Sequence, residues 1–100
     1  MSFSMTARLP MEHELKITPQ FFDAVNSGAK PFEVRVADRD YRYSDVLYLR
    51  EYDPSGMDKV LDRNPYSGRF CKKVITYVLD DSRFVKEGYV ILGIQQLGWL

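Results

Sequence analysis

One stretch of this chain carries the chemistry of a helix from its start to its stop. Thr18-Pro19 opens it, because threonine is a good N-cap and proline is favoured at the first helical position. Asn26-Ser27-Gly28 closes it, with Gly28 suited to the left-handed residue beyond a helix end. Phe21, Phe22 and Val25 recur between them at helical spacing and form an apolar stripe. A helix of about ten residues does not stand alone in water, so it needs a sheet to pack on. The rest of the chain reads as that sheet. Residues 13–17 alternate, with His13, Leu15 and Ile17 on one side and Glu14 and Lys16 on the other. Residues 32–36 alternate again, 46–52 are rich in β-formers, and 69–79 read as a long strand. Residues 89–94 are almost continuously apolar, as in a strand covered on both faces.

The order is therefore strand, helix, then four strands. One helix cannot cover both faces of an open sheet, and the economical solution is a sheet curled on itself with the helix at one end. The predicted fold is α+β: a small β-barrel of about five strands with one main helix after the first strand. Residues 1–11 have no clean period and read as a flexible leader, leaving 12–100 as a single domain. Breakers at Asn64-Pro65 and Ser67-Gly68 make 57–68 the longest expected loop, long enough to reach over a cleft.

Composition narrows the function classes. Fourteen basic residues balance fourteen acidic ones, which argues against a basic coat that binds nucleic acid through many phosphates, while leaving room for a local basic cleft. The single cysteine, Cys71, cannot form an internal disulfide, so a cytoplasmic setting is expected and the thiol reads as a small core side chain. One histidine and one cysteine make a zinc site improbable, and neither a metal nor a cofactor is expected. No apolar run approaches the ~20 residues of a membrane span.

The densest polar chemistry follows the helix. Gly28 turns the chain, Lys30 comes next, and Phe32, Val34 and Val36 alternate with Glu33 and Arg35. If the three apolar residues enter the core, Lys30, Glu33 and Arg35 are presented together. Two readings stand side by side: a polar ligand site, or a solvated strand face with an ion pair worth about 0–1 kcal/mol. Arg39, Arg42, Asp38, Asp40 and Asp45 make the next bend mixed in charge, which suits selective recognition or ordinary turn chemistry. Lys16 joins the trio if its strand lies beside theirs, and Arg50 adds a further cation. Among the seven tyrosines, a few exposed rings are suited to stacking on bases and the others to lining the wall. His13 reads as a strand-end side chain or a base, Lys72-Lys73 as a solvated bend, and Trp99 as a packing anchor or a contact for a second chain.

Gly28-x-Lys30-x-x-Glu33-x-Arg35 resembles the G-x-K-x-x-E-x-R signature of the ASCH domain, within the PUA-like superfamily. The segments 13–17, 38–40, 49–52 and 87–92 extend the likeness to a small bacterial and phage branch over roughly 12–94. The resemblance implies a PUA-like barrel with a cleft lined by the signature, and a role with RNA, single-stranded nucleic acid or a modified nucleoside. Lys16, Lys30, Glu33, Arg35, Arg39 and Arg50 are then the candidate ligand-binding residues. Some ASCH proteins are amidohydrolases that deacylate the N4 position of cytidine, using the signature lysine, a threonine and a distant glutamate. Here Lys30 is kept, Glu33 stands at the threonine position, and Glu87 is a weak candidate for the distant acid. Lys30 and Glu33 would be the catalytic pair of such an enzyme.

Three functions follow: a nucleic-acid or nucleotide-binding module first, a small amidohydrolase second, and a non-catalytic protein-interaction module third. The last would draw on Trp99, the tyrosines and the loop 57–68.

Overall fold

The computed structural model describes residues 8–56 and 64–97. Trp99, the stretch 57–63 of the expected loop and the stretch 1–7 of the expected leader lie outside the described residues. The elements run β1 (Glu12–Ile17), α1 (Pro19–Ser27), β2 (Phe32–Val36), β3 (Val46–Tyr52), a 3-10 turn (Pro54–Gly56), β4 (Tyr66–Leu79) and β5 (Tyr89–Gln96). The five strands form one sheet in the order β1-β3-β4-β5-β2, so β1 and β2 are its two edges. Only β1 and β3 run parallel; every other neighbouring pair is antiparallel. The sheet curls into a half-barrel. Its edges meet through a side chain rather than a ladder: Arg35 on β2 donates Nη2–H to the carbonyl of Lys16 on β1 at 2.8 Å. Strand-rich architecture with one helix is as expected, and the closure at the seam is partial.

The helix forms where its punctuation lies. Thr18 sits at the N-cap in an extended conformation with Pro19 behind it, although its hydroxyl makes no capping bond. Gly28 adopts φ +92°, which an L side chain resists, and its N–H returns to the carbonyl of Val25. Phe22 and Val25 bury against the sheet, whereas Phe21 stays partly exposed. The core beneath joins Leu15 and Ile17 of β1, Leu47 and Leu49 of β3, Cys71 and Ile75 of β4, and Val90, Leu92 and Ile94 of β5. Thus β5 is buried on one face only, not on both.

β2 corrects the sequence expectation. Phe32, Val34 and Val36 face outward, Val34 being 50% exposed, while Glu33 is buried at 4%. The partner strand explains the inversion. In register, Arg35 opposes Val90 and Glu33 opposes Leu92, and directly opposed residues share a face. β5 drives Val90, Leu92 and Ile94 into the core, so β2 must turn its odd-numbered residues the same way. The charged pair is tolerated there because β2 is an edge whose inner face opens on the seam.

β4 begins at Tyr66, earlier than expected, because Ser67-Gly68 form a bulge rather than ending a loop. Tyr52 pairs with Tyr66 and Arg50 with Phe70, leaving extra residues on β4, and Gly68 takes φ +97°. Glu51 clasps the bulge: Ser67 Oγ donates to it at 2.6 Å and the Arg69 guanidinium at 3.0 and 3.1 Å. Those bonds, Arg69 first, hold the Glu51 carboxyl below its ordinary pKa. Among the described residues, no helix is long and apolar enough to cross a membrane.

Candidate functional site

The signature residues converge at the seam. Lys30 follows α1 through a backbone bond from its N–H to the carbonyl of Ala24. Its Nζ donates to Glu33 Oε1 at 3.0 Å and to the Phe32 carbonyl at 3.2 Å. Arg35 approaches Glu33 from the other side, Nε at 3.0 Å and Nη2 at 2.8 Å from Oε2. Both carboxylate oxygens of Glu33 are therefore occupied, by two cations whose side chains remain about one-fifth exposed (19% and 21%). The Lys30 ammonium also lies 4.7 Å from the Phe21 ring and 4.8 Å from that of Phe32.

Two clefts share this seam. The larger, about 430 Å³, is lined by Lys16, Arg35, Arg39, Tyr41 and Tyr66, with Glu14 and Asp38 at its acidic margins. That volume falls within the ~300–1,000 Å³ common for small-molecule sites. The second, about 280 Å³, is lined by Thr18, Lys30, Glu33 and Arg35. Lys16 and Arg35 belong to both. Burial raises the pKa of the Tyr41 hydroxyl, against the pull of Arg39 and Arg35, which leaves a neutral phenol as donor and acceptor in the larger cleft. Arg39 has no ion-pair partner among the described residues and lies exposed on the bend. Its charge is therefore available to a ligand.

Lys16 and Arg50 do not join the trio's ion pairs. Lys16 stands on the outer face of the sheet, where its ammonium sits 4.4 Å over the Tyr52 ring. It reaches the seam by lining the clefts and by its carbonyl. Arg50 acts from behind, donating to Glu14 Oε2 at 2.9 Å and stacking 3.9 Å from the Tyr66 ring, and so fixes two residues of the larger cleft. Cys71 is buried, and burial raises its thiol pKa, so it is no nucleophile at neutral pH.

Sequence reading missed a second buried node. Asp45 is fully buried (0% exposed) and accepts from His13 Nε2 at 2.8 Å, from both Arg8 terminal nitrogens at 3.0 Å, and from the N–H groups of Met11 and Arg42. Burial opposes its ionisation, yet the bonds from Arg8, His13 and the backbone prevail and hold its pKa far below the ordinary carboxylate value. An ionised carboxylate only accepts, so His13 Nε2 carries the hydrogen. His13 packs against Tyr41 at 4.8 Å, making it a support behind the larger cleft rather than a base within it. Residues 8–11, expected as leader, are anchored by this node. Nothing in local spacing joins positions 13 and 45. Tyr41 and Tyr66 were likewise hidden among the tyrosines.

Comparison with known proteins places this geometry in a family. A phage P2 protein of Escherichia, described as "Uncharacterized 12.9 kDa protein in GpA 3'region", is 35% identical over 80 residues, which is 80% of this chain and 64% of that protein. The chain thus matches somewhat less than two thirds of that relative's length. The family model described as "Domain of unknown function (DUF3850)" matches residues 12–94, from the first residue of β1 to the inward-facing end of β5. The seam and both its clefts fall inside that span, and the chain belongs to the DUF3850 family.

Proposed function

We propose that this protein is a binding module for single-stranded nucleic acid or a nucleotide, built as a PUA-like barrel of the ASCH kind. The observation that carries the reading is the larger cleft, where Arg35, Arg39 and Lys16 stand beside Tyr41 and Tyr66. Cations contact phosphate, tyrosine hydroxyls and ring faces contact bases, and Glu14 and Asp38 accept from base amino groups. The mixed charge favours selective recognition over blanket phosphate binding. Fluorescence anisotropy with labelled RNA and DNA octamers, and calorimetry with modified nucleosides, test this. Binding is expected to weaken with salt, with a log–log slope near −0.7 per phosphate contacted. No binding to any of these ligands overturns the proposal.

A second reading is an amidohydrolase acting on an N4-acylated cytidine. Its support is the Lys30–Glu33 contact at 3.0 Å in the smaller cleft. Three donors already engage the Glu33 oxygens, so an activated water must take the one acceptor site left on Oε1 or displace Lys30 or Arg35. Release of cytidine from N4-acetylcytidine, abolished in Lys30→Ala, supports this reading; no release by the wild type rules it out.

A further inference from the structure

Lys73 reads in the sequence as part of a solvated bend. In the structure it lies inside: the alternation of β4 turns Cys71, Lys73 and Ile75 inward together, and Lys73 is only 5% exposed. Its Nζ donates to the carbonyl of Asn26, in the last turn of α1, at 3.3 Å. That end of a helix favours a cation, but the bond is long and engages one of three ammonium donors. Among the described residues it is the one hydrogen-bond partner of the side chain, and no carboxylate pairs with it. Burying an ammonium without a counter-charge is costly, and the cost falls when an anion completes the shell.

Lys73 lines a hollow of about 140 Å³ together with Gly28, Lys30, Gln95 and Gln96. Both charged side chains in its wall are lysines and no carboxylate lines it; the Lys30 ammonium, which already donates to Glu33 and to the Phe32 carbonyl, keeps one donor. Gln95 and Gln96, both exposed, complete its rim. At that volume the hollow is too small for a nucleoside, whose sites start near ~300 Å³, and suits a compact tetrahedral group. It adjoins the seam through a shared residue. Lys30 belongs both to this hollow and to the cleft of Glu33 and Arg35, which in turn shares Lys16 and Arg35 with the larger cleft.

We propose that this hollow binds a phosphoryl group between Lys73 and Lys30. If the protein binds nucleic acid as proposed above, the group is the terminal phosphate of a strand lying along the seam; the alternative source is free phosphate.

The test uses the full chain in two arms. In the first, inorganic phosphate is titrated by calorimetry at constant ionic strength into wild type, Lys73→Met and Gln96→Glu. Wild type is expected to bind. Lys73→Met is expected to lose at least tenfold in affinity while remaining folded, since an apolar side chain of similar length replaces a buried charge. Gln96→Glu, at an exposed wall position, loses affinity through repulsion and serves if Lys73→Met does not fold. In the second arm, octamers ending in 5′-phosphate, 3′-phosphate or hydroxyl are compared. At least fivefold tighter binding of one phosphorylated end, absent in Lys73→Met, supports the terminal-phosphate source. Phosphate binding without an end preference keeps the site and assigns it to the free ion. Phosphate binding with no octamer bound at all sinks the nucleic-acid reading and leaves the site standing. No phosphate binding, or equal affinity in wild type and variants, overturns the proposal.

Discussion

Asp45 and Glu33 are both buried carboxylates that face cations, but they are held by different kinds of donor. Asp45 takes two backbone N–H groups, a histidine locked by its ring contact, and a bidentate arginine. Glu33 takes only side chains, a lysine and an arginine that each keep part of their surface in a cleft. Backbone donors cannot leave without moving the segments they belong to, the lead into β1 and the bend after β2, whereas side chains rotate. The contrast separates architecture from site. Asp45 ties the entry to β1, the bend after β2 and the start of β3 into one unit, while Glu33 holds two cations near the seam in a form that a ligand can rearrange.

The largest effect is expected at the sealed node. Asp45→Asn should lower unfolding free energy by about 3 kcal/mol in urea denaturation, since it removes the charge facing Arg8 and puts an NH2 donor where one of two fully engaged acceptor oxygens stood. The acid dependence has a definite sign. The folded pKa of Asp45 is depressed, so its contribution is present above the unfolded value of about 3.9 and is lost as pH falls through the folded value. Asp45→Asn should therefore flatten the acid limb of the stability profile. A variant with unchanged stability and an unchanged acid limb would erase the distinction between the two nodes.

Glu33→Gln sharpens the comparison from the other side. Removing the negative charge frees Lys30 and Arg35 and raises the positive potential of the clefts. Octamer binding at low salt should tighten by about threefold to tenfold, in keeping with a change near 1 kcal/mol for one charge at a partly exposed site. Weaker binding would mean that Glu33 itself accepts from the ligand. The smallest effect is expected at Arg39. Arg39→Ala should leave stability within about 0.5 kcal/mol, because the side chain is exposed and has no ion-pair partner among the described residues. It should weaken octamer binding by about 1 kcal/mol and make the salt slope shallower by about one phosphate contact. Equal slopes in the two proteins would remove Arg39 from the interface.

Local chemistry determined much of this protein. Thr18-Pro19 and Gly28 set the limits of α1, and the alternation of 13–17 placed Leu15 and Ile17 in the core. The β-forming residues of 46–52 gave β3 its bounds, and a strand-rich chain with one helix already called for a curled sheet. Lys73 was within reach too, since two-residue alternation from Cys71 to Ile75 puts it on their face.

Only tertiary structure decided which face of β2 is inside. Five residues that alternate perfectly satisfy either orientation, and the choice passes to the register with β5, whose Val90, Leu92 and Ile94 are buried in the core. The same holds for the His13–Asp45–Arg8 node and for Arg35 bridging to Lys16, contacts between positions far apart in the chain. A strand's period states which residues travel together; the neighbour it pairs with states where they go.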